Sequence, residues 1–499
     1  MHDQFTEIVR ALYYNSGRWP LLKGKKLMKR IFFLLLLTGV MATVLGQSVP
    51  QQLSKAIQHL ERDPQLRHAI VSLCVLDAAT GKMIFGHNEQ IGLAPASTQK
   101  LFTGIAAFEL LGNDYRFKTQ LGYTGTIVDG QLNGSLVVQG SGDPTLGSWR
   151  WQETKDSVLL RQWVQAISKA GITQKVTDGI RTIVPPFSHQ AIPDGWIWQD
   201  VGNYYGAGAY ALNWRENQYD LFLRSGNNPG DPVNIDSMRP RSTHFSNYIN
   251  ELSAGPKGSG DNAYIYLPTA RHHHPLVKGT IPAGEQSFSI SGAMTDPAAV
   301  LLTDLAAALR DQSIAVTPLP DAGSHVMVQH DTVTSIKPLA THWSPVLDSI
   351  HFWFQRRSIN LYGEALIKTI ALEKSGFATT EAGVEIVRDF FSGTGISKAA
   401  LHMIDGSGLS PQNRVTTDAL VKALRYARTR PWFASFYHAL PTYNGMKMKS
   451  GSIGGARAYA GYHKAGNGKE YIFAIIINNY DGSASQVVRK MYEVLNILK

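Results

Sequence analysis

The rhythm of apolar and polar positions changes twice along the chain. Near the start, residues 47–67 carry a helical period, and a helix is predicted there. The run Ile70-Val71-Ser72-Leu73-Cys74-Val75-Leu76 reads as a buried strand within 69–77. The turn Asp77-Ala78-Ala79-Thr80-Gly81 and a second strand over 82–87 complete a hairpin. Pro95-Ala96-Ser97-Thr98-Gln99-Lys100 then opens a segment in which Ile105, Ala106, Phe108, Leu110 and Leu111 recur at helical spacing. Gly112 ends it, and Pro95 suits a helix start.

From 113 to 332 short alternating strands dominate, such as 131–139. Helix-like pieces over 158–170 and 296–311 interrupt them, the second with Asp296 as N-cap and Pro297 at its first position. The glycine-rich stretches 225–231 and 254–261 read as loops. From 336 helical patterns return over 345–354, 361–373, 380–393 and 416–428. Strands are predicted over 446–452, 458–464 and 470–478, the last two joined by the turn Gly466-Asn467-Gly468. A helix over 484–498 closes the chain. The two ends, 47–112 and 333–499, therefore read as one α/β unit sharing a sheet, with 113–332 inserted as one or two further domains.

With 499 residues the chain is too long for one core. Its 43% hydrophobic and 17% charged content is that of a globular protein, neither disordered nor multi-span. The net charge of +10 is spread out and no recognition motif accompanies it, which argues against nucleic acid as a partner. Met28-Lys29-Arg30, the apolar run 31–37 and the small residues up to Gly46 have the form of a secretory signal peptide over 28–46, with Met28 as the expected start. A membrane anchor is the second reading, and Thr38-Gly39 interrupts it. No cysteine directly follows the apolar run, which speaks against a lipoprotein. The protein is expected to be exported, periplasmic or envelope-associated, with at most peripheral membrane contact. Cys74, the one cysteine, reads as inert packing. His272-His273-His274 lacks a spaced carboxylate or thiolate partner and reads as a polar loop. No glycine-rich stretch runs into Gly-Lys-Ser/Thr, so no phosphate loop is expected. The aromatics Trp196, Trp198, Tyr204, Tyr205 and Tyr210 read as packing rather than a glycan-facing surface.

Three short motifs carry chemistry. In Ser97-Thr98-Gln99-Lys100 the serine and lysine lie on one helical face, where an amine can reach the hydroxyl. A serine needs such a base to become a nucleophile, and a helix N-terminus favours a developing oxyanion. Roughly two such spacings arise by chance in a chain this long, so the motif alone could be a surface helix start. Ser358-Ile359-Asn360 sits in a helical region and alone could be a capped junction. Lys449-Ser450-Gly451-Ser452 falls in a strand, where Lys, hydroxyls and a close-approaching Gly suit a carboxylate-bearing substrate. Alone it could be an exposed edge with a guarding lysine.

Their order and setting together resemble the penicillin-recognising active-serine enzymes. Further stretches narrow the resemblance. They are Pro95-Ala96-Ser97-Thr98-Gln99-Lys100, Gly140-Ser141-Gly142-Asp143-Pro144-Thr145-Leu146, Tyr205-Gly206-Ala207 with Ala211-Leu212-Asn213 and Glu216-Asn217, and Asp405-Gly406-Ser407-Gly408-Leu409-Ser410. These are similar to segments of the D-alanyl-D-alanine carboxypeptidase/endopeptidase family of penicillin-binding protein 4 type. The gap between Ser97 and Ser358 is too long for a compact β-lactamase. Two departures stand out. The third motif reads Lys-Ser-Gly where the family usually has Lys-Thr-Gly, and Gln355 stands where it often has Asn.

The resemblance implies a transpeptidase/β-lactamase-like α/β (α+β) domain, an antiparallel sheet flanked by helices, with a large mostly-β insertion. It implies hydrolysis of D-Ala-D-Ala or related bonds in peptidoglycan peptides through a serine acyl-enzyme, and covalent capture of β-lactams. Ser97 is then the nucleophile and Lys100 its base. Ser358 relays the proton to the leaving amine, and Asn360 orients substrate and Lys100. Lys449 supplies positive charge, with Ser450 or Ser452 on the substrate carboxylate and Gly451 beside them. The N–H groups of Ser97 and Ser452 would form the oxyanion hole. No metal or organic cofactor is needed. The other classes to weigh are a β-lactamase or esterase using the same serine, and a non-catalytic wall-binding protein.

Overall fold

The computed structural model describes residues 47–240, 247–269, 273–317, 327–329 and 336–499. The signal segment expected over 28–46, and His272, lie outside them. The chain falls into two compact units, Met1–Ser54 and Lys55–Lys499. Of the first, residues 47–54 are described and carry the start of helix α1 (Val49–Glu61). The single helix predicted over 47–67 is two pieces. Pro64 has no N–H to give, and Asp63 is extended before it and accepts the Gln65 N–H at 2.9 Å, so a separate 3-10 turn, Pro64–Leu66, follows.

The second unit is built on a six-stranded antiparallel sheet. Its strands are β1 (Ile70–Asp77), β2 (Met83–His87), β3 (Thr442–Tyr443), β4 (Met446–Ile453), β5 (Ala456–Lys464) and β6 (Glu470–Asn478), in the order β2-β1-β6-β5-β4-β3. Both chain ends thus contribute to one sheet, with Cys74 opposite Ala474 and Ala474 opposite Ala460. Six consecutive positions of β1 are buried, so the run is apolar rather than alternating. Cys74 is fully buried, and burial pushes its thiol up to about 12, well away from reactive thiolate.

Helices flank this sheet: α2 (Lys100–Leu110), α3 (Leu347–Arg356), α4 (Asn360–Ser375), α5 (Thr380–Gly393), α6 (Thr417–Arg428), α7 (Phe433–Ala439) and α8 (Ala484–Leu495). Side chains of Thr379 and Thr416 cap α5 and α6 by accepting N–H groups three residues on. Leu101, Phe102 and Ile105 of α2, Leu366 and Ile370 of α4, Leu420 and Leu424 of α6 and Ile472, Ala474 and Ile476 of β6 share one core.

The segment between α2 and α3 has a core of its own, which includes Leu121, Val138, Trp163, Trp214, Leu221 and Leu305. Its sheets are short, and the largest has five strands, Met327–Gln329, Ile180–Val184, Leu136–Gln139, Lys118–Tyr123 and Lys337–Trp343 in that order. Two helices pack on them, Asp156–Lys169 and Pro297–Arg310, and Asp296 caps the second by accepting the Ala299 N–H at 2.9 Å. Strand Lys337–Trp343 pairs with Lys118–Tyr123, so the chain leaves this sheet only after Trp343. Entry and return run side by side there, because the Ser344 N–H donates to the Phe117 carbonyl at 3.0 Å.

The aromatic cluster expected as packing is divided. Tyr205 and Tyr210 are partly buried, but Trp198 and Tyr204 are 51% and 54% exposed. They lie in a four-residue helix and a 3-10 turn, elements too short to cover both faces of a large ring. Among the described residues no helix is long and apolar enough to cross a membrane.

Candidate active site

Pro95 leads not into an α-helix but into one 3-10 turn, Ala96–Gln99, and α2 starts only at Lys100. With three residues per turn, positions i and i+3 are eclipsed, so the turn aims Lys100 at Ser97 more directly than the predicted α-helix would. Ala96 takes a left-handed φ of +47°, a strained conformation for a residue with a Cβ. Strand β4 presses on this turn. A Cβ on Gly451 would stand 2.4 Å from the Pro95 carbonyl, and one on Gly408 2.0 Å from the Ala96 carbonyl. Glycine is required at both places because backbone packs on backbone.

The Lys100 amine is fully buried and has three partners. These are Ser97 Oγ at 2.9 Å, Asn360 Oδ1 at 2.6 Å and the Ser407 carbonyl at 2.7 Å. The last two can only accept. A neutral amine has two hydrogens, which these acceptors take, and its lone pair is left for the Ser97 hydroxyl. Burial lowers the amine to about 7, and the carboxylates of Asp405 and Glu364 oppose that fall. A fraction of Lys100 is therefore a free base at neutral pH.

Ser358 sits between α3 and α4 with φ +56°, another left-handed residue. Asn360 is the first residue of α4, and its Nδ2 donates to the Tyr205 carbonyl at 2.7 Å, which fixes which way its amide faces. Lys449 of β4 donates to Ser358 Oγ at 2.8 Å and to the Ser450 carbonyl at 3.0 Å. Burial, and then the charge of Lys100, hold Lys449 well below the ordinary lysine range. The side chains of Ser97, Lys100, Ser358, Asn360 and Lys449 thus join in two hydrogen-bonded groups, Ser97–Lys100–Asn360 and Lys449–Ser358. Ser452 and Gly451 follow on β4, where Ser452 faces an open cavity and Gly451 faces the Ser97 turn. Ser450 contributes its carbonyl. Strand β3 pairs only with Met446 and Lys447, so among the described residues 449–452 form a free sheet edge.

The cavity measures about 830 Å³. Ser97, Ser358, Asn360 and Ser452 line it, together with Asp200, Tyr205 and Tyr264 from the inserted segment.

Several supporting residues carried no role in the sequence reading. Asp405 is buried and accepts five hydrogen bonds, from Gln99, Trp196, Asn413 and the N–H groups of Gly408 and Ser410, at 2.6–3.0 Å. It shapes the loop whose Ser407 carbonyl holds Lys100. Glu364 accepts the Gly406 N–H at 3.0 Å, and burial followed by the charge of Asp405 raises its carboxyl to about 8. Gln355, the departure from the family pattern, donates to the main-chain carbonyl of Lys100 at 2.9 Å and so ties α3 to the start of α2. The Asp405-Gly406-Ser407-Gly408 signature was the one signal that could have pointed to this loop. Among the described residues no cluster of His, Cys, Asp or Glu could hold a metal, and His273 and His274 are exposed.

An antiparallel sheet with a serine turn against its edge strand, and a second serine and lysine beside it, defines the penicillin-recognising serine enzymes. The chain belongs to the D-Ala-D-Ala carboxypeptidase 3 (S13) family, which matches residues 53–496. It is a serine-type hydrolase of that family. It is 27% identical over 470 residues to a D-alanyl-D-alanine carboxypeptidase of Actinomadura sp. (strain R39), covering 88% of this chain and 83% of the relative. The DacB D-alanyl-D-alanine carboxypeptidase of Haemophilus influenzae is 24% identical over 422 residues, with 80% and 83% covered. In fold the chain is similar to the crystal structure of penicillin-binding protein 4 from Haemophilus influenzae, with a TM-score of 0.73 at 21% identity, covering 89% of this chain and 99% of the other. A structure of that protein complexed with a β-lactam aligns with a TM-score of 0.68 at 19% identity, with 89% and 99% covered.

Proposed function

We propose that Ser97 is the nucleophile of a D-Ala-D-Ala carboxypeptidase and DD-endopeptidase acting on peptidoglycan peptides. The hydrogen-bond pattern around Lys100 carries the reading, because two obligate acceptors leave the amine's lone pair for Ser97. Ser97 Oγ attacks the carbonyl of the penultimate D-residue as Lys100 takes its proton. The N–H groups of Ser97 and Ser452 receive the oxyanion. The C–N bond breaks, and the leaving amine takes a proton through Ser358, which Lys449 contacts. Water then attacks the ester, returning free Ser97 and a carboxylate. The substrate backbone lies along the free edge of β4, with Ser450 or Ser452 and the Lys449 amine near its carboxylate, whose negative charge favours the protonated amine against the burial that disfavours it. β-Lactams, one of which the related Haemophilus protein holds in its complex, would acylate the same serine. The substrate is an envelope polymer, in keeping with the export signal expected over 28–46 and a periplasmic or envelope location.

Labelling of the purified protein with a fluorescent penicillin tests this. Wild type is expected to carry a stable label and Ser97→Ala none. Equal labelling of the variant would displace Ser97 from its role. Rapid turnover of the drug with no D-Ala release from a pentapeptide would favour a β-lactamase.

A further inference from the structure

One stretch of the inserted segment is held in an improbable backbone. Arg215, Glu216 and Asn217 are three consecutive left-handed residues, with φ of +55°, +53° and +52°, and none is glycine. Such a turn persists only where its surroundings over-determine it, and strained backbone of this kind clusters at functional sites. Here the side chains hold it from both sides. Asn217 accepts the Trp214 N–H at 3.0 Å and donates to the Gly208 carbonyl at 2.8 Å and to Asn213 at 2.7 Å.

The turn places Glu216 where the inserted segment meets α4. Its carboxylate is buried and accepts from Ser148 Oγ and Arg150 Nε, each at 2.7 Å, and from a second Arg150 nitrogen at 3.0 Å. The remaining donor comes from α4, where the Tyr362 hydroxyl reaches Glu216 Oε1 at 2.7 Å. Tyr362 is fully buried, and burial and the charge of Glu216 keep its phenol protonated as a donor. Tyr362 stands two residues after Asn360. Ten residues before the strained turn, the Tyr205 carbonyl holds the Asn360 amide. The same inserted stretch therefore grips the start of α4 at two points, and Asn360 lies at one of them.

We infer that Glu216 and Tyr362 are positioning residues for catalysis, fixing the start of α4 so that Asn360 presents its amide oxygen to Lys100. The insertion then sets the geometry of the serine centre as well as walling the cavity. This rests on the proposed acyl-enzyme reading. It gives a purpose to the Glu216-Asn217 pair, which that reading leaves unused.

The test is stopped-flow acylation by a chromogenic cephalosporin, resolving the limiting rate from half-saturation. Tyr362→Phe keeps the ring and removes only the hydroxyl. Glu216→Gln turns an amide N–H₂ towards Arg150 or Tyr362. Each is expected to lower the limiting rate about tenfold, as for a lost hydrogen bond to a charged group. For Tyr362→Phe half-saturation should stay within about twofold, because Tyr362 does not line the cavity and only the reacting groups are misaligned. The double variant should be no slower than the slower single, since both act through one bond. A folded Tyr362→Phe acylating at the wild-type rate would overturn the inference, as would a change in half-saturation alone or multiplicative losses in the double variant. Tyr362→Phe decides the matter by itself if Glu216→Gln does not fold. Failure of wild type to acylate at all would overturn the underlying acyl-enzyme reading, and this inference with it.

Discussion

At the scale of single residues, the site depends on a lysine that folding makes less basic. Lys100 titrates near 7 in the fold against an ordinary 10.5, chiefly because it is buried. Between those values the unfolded chain binds the extra proton, so this group's contribution to stability falls as pH drops from 10.5 to 7 and is level below. Burying Lys100 thus costs stability at neutral pH, which accords with the base role proposed for it. The acylation rate should therefore climb with pH through an acid limb near 7, and a profile flat from pH 5 to 9 would contradict Lys100 as the base. Glu364, whose carboxyl burial and Asp405 raise to about 8, is mostly protonated at that limb, so Glu364→Gln should leave the limb in place. Ser97 and Lys100 were legible in the sequence because their spacing is local. The Ser407 carbonyl and Asp405 were not, because more than 300 positions separate them from Lys100 and a main-chain oxygen leaves no mark on residue choice.

At the scale of elements, most helices and strands followed from periodicity, α5 over Thr380–Gly393 to the residue. The departures have local causes. Pro64 divides the first helix, and Ala96–Gln99 tightens into a 3-10 turn where β4 and the loop around Gly408 crowd it. That crowding could not be read from the apolar pattern, because it is contact between backbones. Its sequence trace is Gly451, which resemblance singled out but periodicity did not. Gly451→Val would put methyl groups into the Pro95 carbonyl and the Ala96 side chain. Overpacking of this kind costs about 1–3 kcal/mol, and a reacting atom displaced by about 1 Å can lose up to about a hundredfold in rate. Penicillin labelling of Gly451→Val is expected to slow at least tenfold, on this estimate, with a lowered denaturation midpoint. A variant labelled as fast as wild type would show that the contact between β4 and the serine turn does not set the geometry.

At the scale of the whole molecule, the second unit contains two large apolar cores that share no residue. What joins them near the site is a small apolar cluster, Val184, Phe187 and Ala211 with Ala378, and a set of polar contacts. Glu216 meets Tyr362, the Tyr205 carbonyl meets Asn360, and Lys368 of α4 donates to the carbonyls of Gln190 and Ala209 at 2.6 and 2.9 Å. Hydrogen bonds fix orientation but add little net stability, on the order of 0.5–1.5 kcal/mol each. Such a joint can hold a site in register without making two cores unfold as one. Calorimetry is therefore expected to resolve the melting of this protein into two transitions, with a van't Hoff enthalpy below the calorimetric one. The cavity wall draws on both cores, since Ser97 and Ser358 belong to one side and Asp200 and Tyr264 to the other. An acyl group on Ser97 touches both sides and should draw the two transitions together, whereas Tyr362→Phe should spread them apart. A single transition with equal enthalpies, unmoved by either change, would mean that the joint is energetically as strong as the cores. The insertion would then be part of one cooperative body rather than a second domain clamped onto the first.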